Sequence, residues 1–537
     1  MKFRIGRLHK AGGILVIGSA LASTSIHAAT DPRAEGVLRD AEAAAGEASW
    51  SSVPSIRVKS KLTTSGLTGT LETLFDARTG HYRNSQQLGP ESGADGFDGK
   101  TVWQQDDAGQ TTLQGSEDSV RGAANTAYQN ARGYFHRDRF PADIVYVRRQ
   151  KEGVDVYDVL RITPKDGRPM DEWFDLRSHL LARTVEQEAT RTTTTYLSDY
   201  RRVLGALFAC AIRQTTGEKK YDVFLNVESV SAEENLPATA FAAPAESKAD
   251  FAIGGDGTTT VPFKLINNHM KVEVKLNGKP YDFLFDTGGR NVVTPTTARE
   301  LGLKTQGALQ GGGVGEKSED FGLTKVAHME VGGAHLENQT FVVIALESLG
   351  KVEGQPITGI FGYEVFKRFI VRTDYETQQI TLSNPGSFKY SGSGTRVPFT
   401  FADTNPVVNG EVAGLKGTFT LDTGSRASLD LSSPFVVRND LVARWGAKFH
   451  GVSGWGAGGA ARSYFARPKM FWRRHSQAVQ YRLGLSASAD FLRTQQELCA
   501  ARCVRPRRAM GQYGRSWIYR DRRVQRRPGR PRWTQGR

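Results

Sequence analysis

Alternation of apolar and polar residues dominates the first half of the chain. It recurs in SIRVKSKL (55–62), GTLETLFDA (69–77), DGKTVWQQDD (98–107), DIVYVRRQ (143–150), DVYDVLRI (155–162) and YDVFLNVESV (221–230). A period of two puts alternate side chains on a buried and a wet face, so each run predicts a half-buried strand. Asp-Gly and Gly turns separate the runs, which predicts one large antiparallel sheet over about 55–231. Two stretches break the period. Residues 31–48, rich in Ala and Glu, predict a helix ahead of the sheet, and Glu117–Phe135 predicts one that interrupts it. Residues 232–258 carry Pro237, Pro244 and several small residues, and predict a boundary with its linker at 236–258.

Beyond that boundary the pattern repeats itself. YDFLFDTGG (281–289) returns as GTFTLDTGS (417–425), which places Asp286 and Asp422 136 positions apart. The offset holds upstream, where Val261-Pro262-Phe263 matches Val397-Pro398-Phe399 and Gly278 matches Gly414. A repeat of this length predicts a duplicated lobe. In each copy a strand-forming run, Phe283-Leu284-Phe285 or Phe419-Thr420-Leu421, leads into Asp-Thr-Gly. The glycine lets the chain turn sharply and brings backbone N–H groups near the carboxylate. Lobes packed about a pseudo-two-fold axis would bring both carboxyls to one seam, where they share a single proton. The charged one can then take a proton from water while the neutral one donates to a carbonyl oxygen, which is amide hydrolysis without metal or covalent intermediate.

These residues resemble the retropepsin-like (pepsin-type) aspartic proteases in a single-chain, two-lobe form. The resemblance covers roughly 258–465, with lobes at 259–388 and 393–467. It implies that Asp286 and Asp422 are the catalytic pair and that Thr287 and Thr423 brace the two loops, with Gly288 and Gly424 completing the turns. Gly359-Ile360-Phe361-Gly362 fits the segment that backs the first Asp loop, with Gly359 and Gly362 its fixed points, and FIVRTDYETQQITL (369–382) fits the closing strands. The Gly-rich stretch around Gly313 and Gly315 suits a flap over substrate, and 451–462, with Trp455, suits its counterpart. Glu316 separates Gly315 from Lys317-Ser318, so the stretch is not a phosphate-binding loop. Ser425 follows the second Asp-Thr-Gly where Gly289 follows the first, and a hydroxyl donated to the carboxylate predicts that Asp422 carries the charge and Asp286 the proton. Pairing of two chains through their first lobes, as in single-lobe relatives, stays open.

The N-terminal sheet resembles the LolA/LolB-like half-barrel proteins at Gly96-Phe97-Asp98-Gly99-Lys100-Thr101-Val102-Trp103 and at Asp199-Tyr200-Arg201 leading to Gly205. That resemblance implies a lipid or acyl ligand in the concave sheet. A β-domain that positions or shields the protease is the other reading of the same residues.

The fold class expected is therefore mainly β: an antiparallel half-barrel-like domain at 31–235, then two protease lobes. Residues 1–29 predict a secretory signal: Lys2, Arg4, Arg7 and Lys10 precede an apolar core, Ile14–Ala22, and cleavage fits after Ala28 or Ala29. No further stretch reaches the roughly 18 apolar residues of a membrane helix. An exported product, most simply periplasmic, is expected.

Length and composition, 537 residues with 39% hydrophobic and 24% charged, allow two or three domains with cores of their own. Charge changes the picture at one end. From Pro468 to Arg537 the sequence holds 18 Lys and Arg against three acids, a net +15 equal to that of the whole chain, 71 minus 56. The repeat also fails there: the counterpart of 359–362 falls at 495–498, Gln-Gln-Glu-Leu. The second lobe thus reads as truncated and 468–537 as an out-of-frame, disordered tail. The tail carries no helix-turn-helix, zinc spacing or stacking platform for nucleic acid. Cys499 and Cys503 give two ligands, too few for a metal site, and no cofactor is expected. The function expected is an exported aspartic endopeptidase; the alternative is a periplasmic module that binds lipid or peptide beside an inactive, truncated protease region.

Overall fold

The computed structural model describes residues 31–50, 53–188, 191–245, 250–311, 319–392, 394–426, 429–446, 449–456, 458–465, 478–484 and 500–504. The chain is mainly β. The first helix, Pro32–Ala45, begins where the Asp31 carboxylate accepts the Arg33 N–H and ends at Gly46, which takes a left-handed conformation. Its buried stripe, Ala34, Leu38, Ala41 and Ala45, recurs at helical spacing. A later helix, Glu117–Asn130, is capped by Ser116 and is shorter than its sequence suggested, because Arg132 turns left-handed and Gly133–Phe135 tightens into a 3₁₀ turn.

The runs of alternation form antiparallel strands of a sixteen-stranded sheet. Its central ladder pairs Ser55–Thr64 with Leu67–Asp76 on one side and with Val223–Ala232 on the other. Both helices pack over one end, where Leu38 and Tyr128 meet Ile144, Leu160, Ile162 and Phe174.

The sheet does not stop at the expected boundary. Thr111–Gln114 pairs in parallel with Thr400–Ala402, so the second repeat's strands, Asn405–Val412 and Leu415–Thr420, extend it. The Gln114 side chain seals the junction by donating to the Asp403 carbonyl and accepting its N–H, at 3.1 and 2.8 Å.

The first repeat forms a nine-stranded sheet. Lys279–Asp286 lies between His269–Leu276, antiparallel, and Gly359–Gly362, parallel. Phe283 and Phe285 enter a core with Val272, Val274, Phe341, Phe361 and Phe369.

The stretch read as a linker is tied down at two points among its described residues. Trp103 Nε1 donates to the Phe241 carbonyl at 2.9 Å, and Phe251–Ile253 is a strand of the first lobe's sheet, paired with Ala334–Leu336. The Arg-rich tail also departs from expectation over two segments. Ala478–Gly484 pairs with Ile370–Asp374, and Ala500–Val504 pairs with it and with Thr395–Arg396, in a six-stranded sheet. An exposed strand edge offers unpaired N–H and C=O groups to any backbone, and composition does not register that. The signal segment, Gly313, Gly315 and Cys499 lie outside the described residues.

Candidate active site

Asp286 ends a strand whose side chains alternate: Phe283 and Phe285 point into the lobe, Leu284 and Asp286 to the other face. Gly359–Gly362 holds this strand from behind, with Asp286 opposite Gly362. A Cβ at Gly362 would lie 1.5 Å from the Asp286 carbonyl oxygen, and one at Gly359 2.3 Å from the Phe283 ring. Only glycine allows either approach.

The two Asp-Thr-Gly turns meet. Thr287 N–H donates to Thr423 Oγ1 and Thr423 N–H to Thr287 Oγ1, both at 3.0 Å. Each hydroxyl then donates across the seam, Thr287 Oγ1 to the Leu421 carbonyl at 2.7 Å and Thr423 Oγ1 to the Phe285 carbonyl at 3.0 Å. Four reciprocal hydrogen bonds fix the loops against each other. Within each turn the glycine amide, Gly288 or Gly424, donates to its own Asp Oδ1 at 2.8 Å.

The two carboxyls come together, since a Cβ on Gly288 would lie 3.2 Å from Asp422 Cγ and 3.3 Å from Asp286 Oδ1. The Asp286 pKa is pushed up to about 7, first by burial and then by the Asp422 charge, against the pull of the Gly288 and Gly424 amides. A Cβ on Gly424 would lie 2.4 Å from Asp286 Cγ, so this glycine is what lets the carboxyl reach across. Asp286 is half-buried and Asp422 exposed. The Ser425 hydroxyl favours the charged form of Asp430, whose carboxyl is nevertheless pushed up by desolvation and by the Asp422 charge. In the repeat Asp430 stands where Thr294 caps a short helix, and nothing in the pattern marked it. Trp455 lies exposed on the hairpin Phe449–Gly456/Gly459–Phe465, which packs against the helix Glu347–Glu353.

The N-terminal domain reaches this site. Arg290, four positions after Asp286, pairs with Glu91 at 2.7 Å. Leu62, Leu67 and Leu88 share an apolar cluster with Leu284, Leu309, Phe321 and Ile344, flanked by Ile360. They therefore cover apolar surface on the face from which Asp286 projects. Sequence reasoning missed these contacts, since leucines on an alternating strand carry no label for what lies above them.

Residues 272–365 match the aspartyl protease family, so the Asp286 turn and its Gly359–Gly362 backing fall inside a recognised aspartyl protease-like segment. Among curated proteins no match is found. Among solved structures, the chain is similar to a LolA superfamily protein from Nitrosomonas europaea, at 14% identity over 39% of this chain and 96% of that one, with a TM-score of 0.30. It is similar to a putative outer membrane lipoprotein-sorting protein domain from Vibrio parahaemolyticus, at 13% identity over 39% and 97%, with a TM-score of 0.28. A retropepsin-like aspartic protease from Rickettsia conorii is similar at 16% identity over 26% and 97%, with a TM-score of 0.18.

Proposed function

We propose that this chain is an exported aspartic endopeptidase in which Asp286 and Asp422 activate one water. The observation that carries the reading is the reciprocal Thr287–Thr423 lattice, which holds the two Asp-Thr-Gly turns against each other with their carboxyls side by side. The two carboxyls share one proton. The raised pKa, set first by burial, favours its residence on Asp286. Asp422 takes a proton from water as the oxygen attacks the peptide carbonyl carbon, and Asp286 gives its proton to the carbonyl oxygen. The resulting gem-diol loses a proton to Asp286 as the C–N bond breaks, and Asp422 returns its proton to the leaving amine. Every atom is accounted for by one water added across one amide.

Cleavage of a peptide library from pH 3 to 8 tests this. Activity should have an acid optimum, be blocked by a statine-type inhibitor and be lost in Asp286→Asn. Cleavage that survives Asp286→Asn would overturn the assignment. The exposure of Asp422 favours a second reading, a binding module with a silent protease region. Its acyl version fits less well, because Leu62, Leu67 and Leu88 are already covered by the first lobe. Lipid co-purifying with a chain that cleaves nothing would support it.

A further inference from the structure

The two Asp loops are backed differently. The Asp286 loop is held from behind by Gly359–Gly362 of its own lobe. Among the described residues the Asp422 loop has no such segment from its own lobe, and the first lobe grips it instead. His269, buried at the start of the strand His269–Leu276, has Nε2 2.9 Å from the Gly424 carbonyl oxygen. Its Nδ1 lies 3.3 Å from Glu353 Oε2. A carbonyl oxygen can only accept, so Nε2 must carry a hydrogen.

Glu353 is buried at the end of the helix Glu347–Glu353 and is itself held in place. Asn267 Nδ2 donates to its Oε2 at 3.2 Å and to its carbonyl at 2.9 Å. Arg426 Nη1, from the second loop, stands 3.6 Å from Oε1. The other cation nearby, Lys271, donates to the Pro356 carbonyl. Asn268 Nδ2 donates to the Arg426 carbonyl at 3.3 Å, so the Asn267–His269 turn takes backbone carbonyls at both 424 and 426. The Gly424 peptide is thereby pinned at both ends, its carbonyl by His269 and the N–H on its other side by Asp422 Oδ1.

We infer that His269, oriented by Glu353, is a positioning residue that holds the Asp422 carboxyl in register with Asp286 from the opposite lobe. The inference rests on the protease reading for its catalytic consequence, and on geometry for the grip itself. Full-length His269→Leu, His269→Gln and Glu353→Gln, assayed with a cleavable peptide, separate positioning from mere packing. Loss of one hydrogen bond in the charged site should lower kcat about 10–100-fold in His269→Leu with KM nearly unchanged. His269→Gln keeps one N–H for Gly424 and should recover most of that loss, with Glu353→Gln in between.

Wild-type kcat in His269→Leu overturns the inference, as does a Gln variant no better than Leu. Nitrogen-15 NMR of the histidine rings gives a readout without cleavage. Wild-type His269 should show a hydrogen on Nε2. A ring whose Nε2 carries no hydrogen overturns the grip even if peptides are cut. A wild type that cuts nothing but shows the Nε2 hydrogen overturns the protease reading and leaves the grip standing.

Discussion

At the scale of single residues, two carboxyls hold protons that an unfolded chain would release. Burial pushes both Asp286 and Glu172 up to about 7. Glu172 is fully buried and accepts hydrogen bonds from Thr184 Oγ1 at 2.7 Å and Gln129 Nε2 at 3.3 Å. Unfolded carboxyls titrate near pH 4, so between about pH 4 and 7 the folded chain binds more protons than the unfolded one. Stability must then fall as pH rises through that window. Glu172→Gln keeps the shape without the titration, and urea unfolding at pH 4.5, 6 and 7.5 should show a flatter slope, with a gain on the order of 1–3 kcal/mol at the upper end. Asp286→Asn should remove its own share and leave that of Glu172. Gly424→Ala acts by shape: its Cβ would meet the Asp286 carboxyl at 2.4 Å. Peptide cleavage should fall about 100-fold or more as the carboxyls are forced apart.

At the scale of elements, the two Asp-Thr-Gly turns are one structure shared by two strands. Thr287 and Thr423 each satisfy the other's backbone N–H and donate to a carbonyl across the seam. Thr287→Val or Thr423→Val leaves a backbone donor unpaired and should cost about 2 kcal/mol. Because the same lattice is broken either way, the double variant should cost less than the two combined, by about 1 kcal/mol. Strict additivity in denaturant melts would mean that the turns do not brace each other.

At the scale of the whole molecule, three regions distant in sequence converge on one buried charge cluster. Arg368 pairs with Glu364 at 2.8 Å, with Asp106 of the N-terminal sheet at 3.1 Å and with Asp250 of the connecting segment. Lys367 pairs with Asp106 and Glu364. Against the cost of burial, Lys367 and Arg368 hold the Asp106 carboxyl down to about 2. Arg368→Leu strands these carboxylates with too little positive charge and should cost about 3–5 kcal/mol. Calorimetry should then resolve separate unfolding of the N-terminal sheet and the first lobe, where the wild type unfolds in one step. A single transition in the variant would place the main coupling in the leucine cluster instead.

Local signals carried much of this. Period-two alternation marks the strands, Asp31 and Ser116 start helices, and the doubled Asp-Thr-Gly marks the turns, because each is a short-range preference written in neighbouring residues. The family resemblance that the doubled motif carries pointed to the threonines and to the glycines at 359 and 362. The chain by itself was silent on His269 and Glu353, 84 positions apart, and on Glu91, Asp106 and Leu67, whose partners lie in another domain. It also gave no sign that the second repeat extends the N-terminal sheet or that parts of the tail form strands. Tertiary structure decided these matters, because a side chain's type records what it can bond to, whereas its partner is set by how distant strands are brought side by side.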